Sequence, residues 1–307
     1  MNNIFLTIAI AALCNTIQAQ DSRLVELLQA QPGTEKILAR TNSQVLMQAS
    51  QRWHIQDSIH YAMTLRMAKE KGWPLTLPGG GELVGFDRNG LPIYQQDENV
   101  NAAKTTSTDD IQPGGSLGLN LQGTNMVIGL WETDIPEETH PEFAGRVVNI
   151  DNDAISCHAT HVAGTLVATG LDTNAKGMAT MANICAYNTY SSPSEIAATA
   201  ASGLLISNHS YGTISGWNYK NGAWNWHGAT DDYEDYKFGQ YSFYAMVRDT
   251  VAFYAPYYLL VQSAGNDRGD GPSNDPNHPE DGPYDCISTY KNAKNILIGD
   301  LNRRTPE

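Results

Sequence analysis

The chain has 307 residues, of which 41% are apolar and 17% are charged, and its formal net charge is −14. This balance is typical of a folded globular protein and excludes an intrinsically disordered chain. The negative charge argues against nucleic acid or an anionic membrane as a partner, because both would repel the protein. The length is near the upper limit of what one hydrophobic core organises.

Residues 1–19 contain a short apolar run between a polar start and a small-residue finish. The run is too short to span a bilayer and is typical of a secretory signal peptide cleaved after Ala19, so we expect a secreted protein. Beyond it, Cys157, Cys185 and Cys286 allow at most one disulfide bond. The chain has no CxxC pair, which excludes a zinc ribbon.

Residues 20–100 are expected to form a helical N-terminal region, a candidate pro-segment. Apolar residues fall at helical spacing from 21 to 71, with a break at Pro32 and Gly33. Turn signals then surround short strand-like runs. Residues 101–123 are polar and Gly-rich, which indicates a connecting segment.

Residues 124–307 have a different pattern, in which short apolar runs alternate with helical stretches. NMVIGLW, MANICAYN and YYLLVQSAG predict buried strands, and the Ala-rich run after Ser194 predicts a helix. This alternation predicts an α/β fold with a doubly wound, mostly parallel sheet. Functional residues of such sheets gather at the carboxyl ends of the strands.

The stretch HATHVAGT places His158 and His161 three residues apart at the head of a small-residue run. A helical zinc site needs histidines four apart with a glutamate between them, so we predict no metal at this position. His158 stands at the start of the predicted helix, where the helix dipole favours the neutral imidazole that a general base needs. His161 is predicted to be a buried packing residue.

HATHVAGT resembles the histidine motif of the subtilisin-like serine proteases, in which the first histidine is the catalytic base. NMVIGLWETD, THPEF, SNHSYG and VQSAGND resemble other motifs of that family and occur in the family's order. The resemblance implies a three-layer αβα domain over residues 124–307. It also implies hydrolysis of polypeptide substrates through serine acylation.

The resemblance assigns roles to individual residues. His158 would be the general base, and Asn266 would donate a side-chain hydrogen bond to the oxyanion. The backbone of Ser210, Tyr211 and Gly212 would line the substrate cleft and pair with an extended peptide.

The acid of the catalytic triad departs from the family's pattern. The family has an aspartate directly after the apolar strand, and this chain has a glutamate there. Glu132 is therefore the predicted acid, which would orient the histidine, and Asp134 is the fallback. The remaining acids of the loop, Glu137, Glu138 and Glu142, are expected on a solvated face.

The nucleophile is the second departure. The family's serine lies in a Gly-Thr-Ser-Met-Ala-like stretch downstream of the oxyanion asparagine, and no such stretch follows Asn266 in the sequence. We therefore expect a domain that is incomplete at its C-terminus, in a chain that lacks the nucleophile-bearing segment. Two functions stay open: a secreted serine endopeptidase, and a catalytically inactive relative that binds extended peptides.

Two other features have alternative interpretations. GGSLG at 114–118 fits the G-x-S-x-G pattern of a nucleophile elbow, but no apolar strand precedes it, so we predict a turn. The acidic loop 267–285 offers oxygen ligands for calcium, but a plain solvated loop is the preferred interpretation. We assign no cofactor and leave calcium open.

Overall fold

A computed structural model describes the following residues: 23–77, 81–86, 90–97, 108–172, 175–220, 222–272, 274–282 and 287–299. The expected signal peptide lies outside these residues. Within them, no helix is both long enough and apolar enough to cross a membrane.

The N-terminal region begins with three helices: α1 (23–30), α2 (Thr34–Leu38) and α3 (Ser43–Lys71). Asn42 caps the start of the long helix α3, where its side chain accepts a hydrogen bond from the backbone N–H of Val45, and Gly72 caps its end. Gly72 has a φ of 72°, a left-handed conformation that glycine adopts without strain.

Strands as well as helices make up the N-terminal region. The remaining elements up to the first strand of the central sheet are β1 (Thr76–Leu77), β2 (Gly81–Phe86), β3 (Pro92–Asp97) and α4 (Thr108–Ile111). The strand-like runs that the sequence indicated after the helical stretch form β1, β2 and β3.

The rest of the chain alternates strands and helices. Its strands are β4 (Val127–Glu132), β5 (Val147–Asn149), β6 (Asn183–Asn188), β7 (Ile206–His209), β8 (Tyr211–Thr213), β9 (Trp217–Lys220), β10 (Ala223–Trp226), β11 (Leu259–Ser263) and β12 (Leu297–Gly299). Its α-helices are α5 (Cys157–Val167), α6 (Ser192–Ala201) and α7 (Phe243–Tyr254). Among the described residues, 3-10 turns lie at Pro141–Phe143 and Thr289–Asn292.

Six of these strands form one parallel sheet in the order β12-β11-β7-β4-β6-β5. Every residue of the central strand β4 is buried, as expected for a strand that is covered on both faces. One apolar cluster joins Val127 and Trp131 of β4 to α3, α6 and α7. A second joins Ile128 and Leu130 to Val162 of α5 on the other face. The predicted α/β fold with helices on both faces of a parallel sheet is confirmed.

A second sheet connects the N-terminal region to the α/β domain. It is antiparallel in the order β1-β2-β3-β8. In its last pairing, Asp97 lies opposite Tyr211 and Gln95 opposite Thr213. The sequence did not predict this pairing, because the two strands are far apart in the chain and β8 is very short.

The contact between α3 and α6 contains two half-buried carboxyl residues, Asp57 and Glu195. Asp57 on α3 accepts hydrogen bonds from the backbone and the side chain of Ser194, in the first turn of α6. The next residue, Glu195, is half-buried, and its carboxylate accepts a hydrogen bond from Trp131 Nε1 at 3.0 Å. Burial raises the pKa of Asp57 to about 7. Burial and the neighbouring charges of Asp151 and Asp57 raise the pKa of Glu195 well above its usual range.

We predict that Asp57 contributes stability that is lost as the pH rises from about 4 to about 7. The pKa of Asp57 is raised in the folded protein from its ordinary value of 3.8 to about 7, so across this window the folded state binds more protons than the unfolded state. Asp57→Asn keeps a hydrogen-bonding side chain without the charge. It should raise the free energy of unfolding near pH 8 by roughly 1–3 kcal/mol and flatten its pH dependence.

Denaturant unfolding at a series of pH values measures both effects. Glu70→Gln is the matched control on the same helix, because the Glu70 side chain is exposed and its ion pair with Arg66 lies on the surface. An Asp57→Asn protein with the wild-type pH profile would contradict the prediction.

Candidate active site

Three neighbouring strands of the parallel sheet end beside the predicted site residues. β11, β7 and β4 are adjacent, so their carboxyl ends lie at one edge of the sheet. Glu132 is the last residue of β4, Ser210 directly follows β7, and Asn266 lies three residues beyond the end of β11. The topology therefore places the predicted acid, cleft residue and oxyanion donor along the same edge.

The predicted base and acid are in contact. Helix α5 begins at Ser156, whose Oγ accepts a hydrogen bond from Ala159 N at 3.0 Å, and this N-cap fixes the first turn that carries His158. His158 Nδ1 lies 3.2 Å from Glu132 Oε2. The Glu132 side chain is fully buried and that of His158 is 24% exposed. Asp134, the fallback acid, is half-buried two residues beyond the end of β4.

This pair has the arrangement that general-base catalysis needs. A carboxylate at Nδ1 favours the ring tautomer with the proton on that nitrogen, which leaves Nε2 as the basic atom. The same carboxylate stabilises the imidazolium that forms once Nε2 has accepted a proton. The His158 side chain is 24% exposed, but its two ring nitrogens are buried, as are both oxygens of the Glu132 carboxylate.

Two expectations for neighbouring residues were wrong. His161 is exposed, because the buried face of α5 consists of other residues, namely Ala159, Val162, Ala163 and Val167. Glu142 is buried rather than solvated. Its carboxylate accepts hydrogen bonds from the backbone N–H groups of Asp172, Gly170 and Leu171 and from the Thr169 hydroxyl. These bonds, first that from Asp172, lower the pKa of Glu142 to about 2.

The cleft strand β8 already has an extended partner. Tyr211 and Gly212 are buried, and β3 pairs with them in the antiparallel direction. Ser210 is half-buried and its Oγ accepts a hydrogen bond from Asn208 Nδ2 at 2.8 Å. The strand that the sequence predicted to bind extended peptides is thus paired with an extended segment of its own chain.

The oxyanion candidate lies in an open loop. The side chain of Asn266 is exposed, whereas Asp267 beside it is buried. Further along this loop, the Asp281 carboxylate accepts a hydrogen bond from the backbone N–H of Trp217 at 2.9 Å. In the described part of the chain, no group of three or more His, Cys, Asp or Glu side chains is arranged to hold a metal ion.

The GGSLG stretch forms a turn, and the two cysteines that the structure describes are free thiols. Residues 114–118 form turns, with Gly114 and Gly118 at φ values of 84° and 62°, so GGSLG is the predicted turn and not a strand-to-helix elbow. Cys157 is an exposed free thiol next to His158, and Cys185 is a buried free thiol. Burial raises the pKa of Cys185 to about 12. Cys286 lies outside the described residues.

Sequence reasoning missed the polar residues beneath the cleft strand. Gln262 and Arg248 are buried, and both contact β8 through hydrogen bonds. The available signal was the glutamine inside the apolar run LLVQS, since a buried strand position rarely carries an amide without a specific partner.

The family is shown by sequence. A model of the subtilase family matches residues 123–303, more than half of the chain. The chain therefore belongs to the subtilase family, as the sequence motifs indicated. No curated protein matches it in sequence.

Several solved structures are similar over part of their length. The self-cleaved protease domain of PatA is 20% identical, with a TM-score of 0.32, over 48% of this chain and 52% of that one. A cold-adapted subtilisin-like serine proteinase is 22% identical, with a TM-score of 0.31, over 49% and 50%. Fervidolysin from Fervidobacterium pennivorans is 18% identical, with a TM-score of 0.35, over 59% and 31%. The chain thus spans about half the length of the first two structures, and the family assignment rests on the sequence match.

We predict that neutral His158 carries its proton on Nδ1 and that Glu132→Gln changes this tautomer. A carboxylate only accepts hydrogen bonds, whereas the amide of glutamine also donates one, so the variant allows a proton on Nε2 instead. Long-range proton–nitrogen NMR of the imidazole rings distinguishes the two tautomers. The exposed His161 is the internal control and should not respond. A wild-type His158 with its proton on Nε2 would refute the proposed acid–base pairing.

Proposed function

We propose that the protein is a secreted subtilisin-like endopeptidase that hydrolyses peptide bonds through serine acylation. The observation that carries the proposal is the 3.2 Å contact between His158 Nδ1 and the buried Glu132 carboxylate, at the carboxyl edge of a parallel sheet. In this proposal His158 is the general base and Glu132 orients it, with Asp134 as the fallback acid. Secretion is proposed from the sequence of residues 1–19.

Asn266 is the proposed side-chain donor to the oxyanion. Its exposed position just beyond β11, at the same edge of the sheet as Glu132, supports this role. A donor of this kind acts on the charge that develops on the carbonyl oxygen in the transition state, so it affects turnover more than substrate binding.

Ser210, Tyr211 and Gly212 are the proposed binding strand for an extended polypeptide substrate. The antiparallel pairing of β3 with β8 supports this, because it shows that the edge of β8 accepts an extended backbone. It also supports the proposal that residues 20–100 act as a pro-segment, since β3 takes a place that a substrate strand would need. No nucleic acid, membrane or cofactor enters the proposal, and calcium stays open.

The second candidate function is peptide binding without cleavage. It is motivated by Glu132, a glutamate at the position where the family resemblance implies an aspartate. The base, the acid and the cleft strand would then persist as parts of a binding site.

Activity and labelling experiments separate the two functions. We expect the natural gene product to cleave casein and to be labelled by a fluorophosphonate, which reacts covalently with an activated serine. His158→Ala should abolish both, because the base and the nucleophile act as a unit. His161→Ala is the matched control three residues along the same helix and should leave both unchanged.

The oxyanion role has its own prediction. Asn266→Ala should lower kcat by about 10²–10³-fold with little change in KM, because the lost hydrogen bond acts in the transition state. Steady-state kinetics on a fluorogenic peptide measures the two constants. Tight peptide binding without labelling or turnover would favour the second function, and a normal kcat in Asn266→Ala would exclude the oxyanion role.

A further inference from the structure

Three large and fully buried polar side chains lie beneath the cleft strand. They are His209 at the end of β7, Arg248 on α7 and Gln262 on β11. Buried polar groups destabilise a protein unless each one is hydrogen-bonded, so their partners indicate what they do.

Gln262 connects β11 to the bend between β7 and β8. Its Nε2 donates to the backbone carbonyl of His209 at 3.1 Å and to that of Tyr211. The carboxamide –NH₂ has two protons, so the two carbonyls use its full donor capacity. Because carbonyl groups alternate in direction along an extended backbone, holding those of His209 and Tyr211 inward turns that of Ser210 to the opposite side.

Arg248 fixes the orientation of that carboxamide. Its Nη2 donates to Gln262 Oε1 at 3.2 Å and to the Tyr211 hydroxyl at 3.1 Å. A flipped Gln262 would place its oxygen against two carbonyl oxygens and its –NH₂ against the guanidinium, so only one orientation satisfies all these groups. The guanidinium carbon also lies 4.5 Å from the centre of the Tyr290 ring, which holds the arginine from another side.

The same network extends to the strand that carries the predicted acid. His209 Nδ1 lies 3.2 Å from the Tyr211 hydroxyl, and its Nε2 lies 2.9 Å from Ser207 Oγ. The His209 ring stacks on Trp131, with ring centres 5.1 Å apart, and Trp131 directly precedes Glu132. Burial, followed by the nearby charge of Arg248, lowers the pKa of His209 well below its usual range, so this ring is neutral.

We propose that Arg248 and Gln262 are positioning residues for the substrate-binding strand. In this proposal, Arg248 orients the Gln262 amide, and Gln262 holds the bend between β7 and β8. The edge of β8 then faces the cleft at a fixed distance from β11, the strand that leads to Asn266. The consequence for catalysis rests on the proposed function, whereas the consequence for the geometry of β8 does not. Neither side chain would touch the substrate.

The first test measures β8 itself and needs no activity. Gln262→Met keeps the length of the side chain and removes both donors. We expect backbone amide hydrogen exchange in residues 211–214 to accelerate by about tenfold or more, the size of effect that losing a buried hydrogen bond produces. Exchange in β5 and β6, on the far side of the sheet, should change much less.

A matched control separates positioning from a general loss of stability. Val167→Ala removes buried apolar volume from the cluster on the other face of the sheet. Amide exchange is compared at temperatures equally far below the unfolding midpoint of each protein. Under these conditions, the amides of β8 in Val167→Ala should exchange at nearly the wild-type rate, whereas those in Gln262→Met should exchange faster. Equal exchange in the two variants, or wild-type exchange in Gln262→Met, would overturn the proposal.

The double variant Arg248→Met/Gln262→Met gives a second, independent readout. Removing Gln262 alone leaves the buried guanidinium short of an acceptor, and removing both partners relieves that penalty. We expect the double variant to recover part of the lost Tm but to keep the fast exchange in β8. If the double variant recovers both the Tm and the wild-type exchange rate of β8, the two residues have a purely structural role.

Kinetics of the natural gene product tests the catalytic consequence. In Gln262→Met, KM for a long peptide that pairs along β8 should rise by about tenfold, while a small ester that does not reach β8 should be turned over as in the wild type. Altered exchange in β8 with no turnover in any variant would support the positioning role and contradict the proposed peptidase. Faster amide exchange in β8 with an unchanged KM for the long peptide would mean that Gln262 stabilises the fold but does not position the substrate.

Discussion

The parallel pairing of β4, β7 and β11 is the constraint on which the site depends. Because the three strands run in the same direction, residues that are distant in sequence meet at one edge of the sheet. Glu132 belongs to the first of these strands, Ser210 follows the second and Asn266 follows the third. A one-residue slip of β4 would turn its carboxylate away from His158, since side chains alternate between the faces of a sheet.

The features that depend on local sequence could be predicted. The apolar run NMVIGLW identified β4, and the small-residue run after His158 identified α5. The pairing of His158 with Glu132 came from the family resemblance. His161 and Glu142 show the limit of this reasoning. Apolar spacing did not reveal that His161 faces away from the core, and no local pattern shows that the backbone of residues 170–172 folds around the Glu142 carboxylate.

Long-range polar contacts could not be predicted from the sequence, for a different reason. Arg248 and Gln262 lie on elements of unlike type and meet only because α7 packs against the sheet. The pairing of β3 with β8 likewise joins segments more than a hundred residues apart. Neither contact leaves a periodic signal, because each depends on the relative placement of whole elements rather than on local spacing.

The cleft strand is held on two sides by bonds of different character. On its outer edge β8 pairs with β3, through backbone groups that any extended peptide can replace. On its inner side Gln262 holds the carbonyls of His209 and Tyr211, through a side chain that is buried and itself oriented by Arg248. Another extended peptide can therefore replace β3 while the hydrogen bonds from Gln262 to the carbonyls of His209 and Tyr211 stay in place.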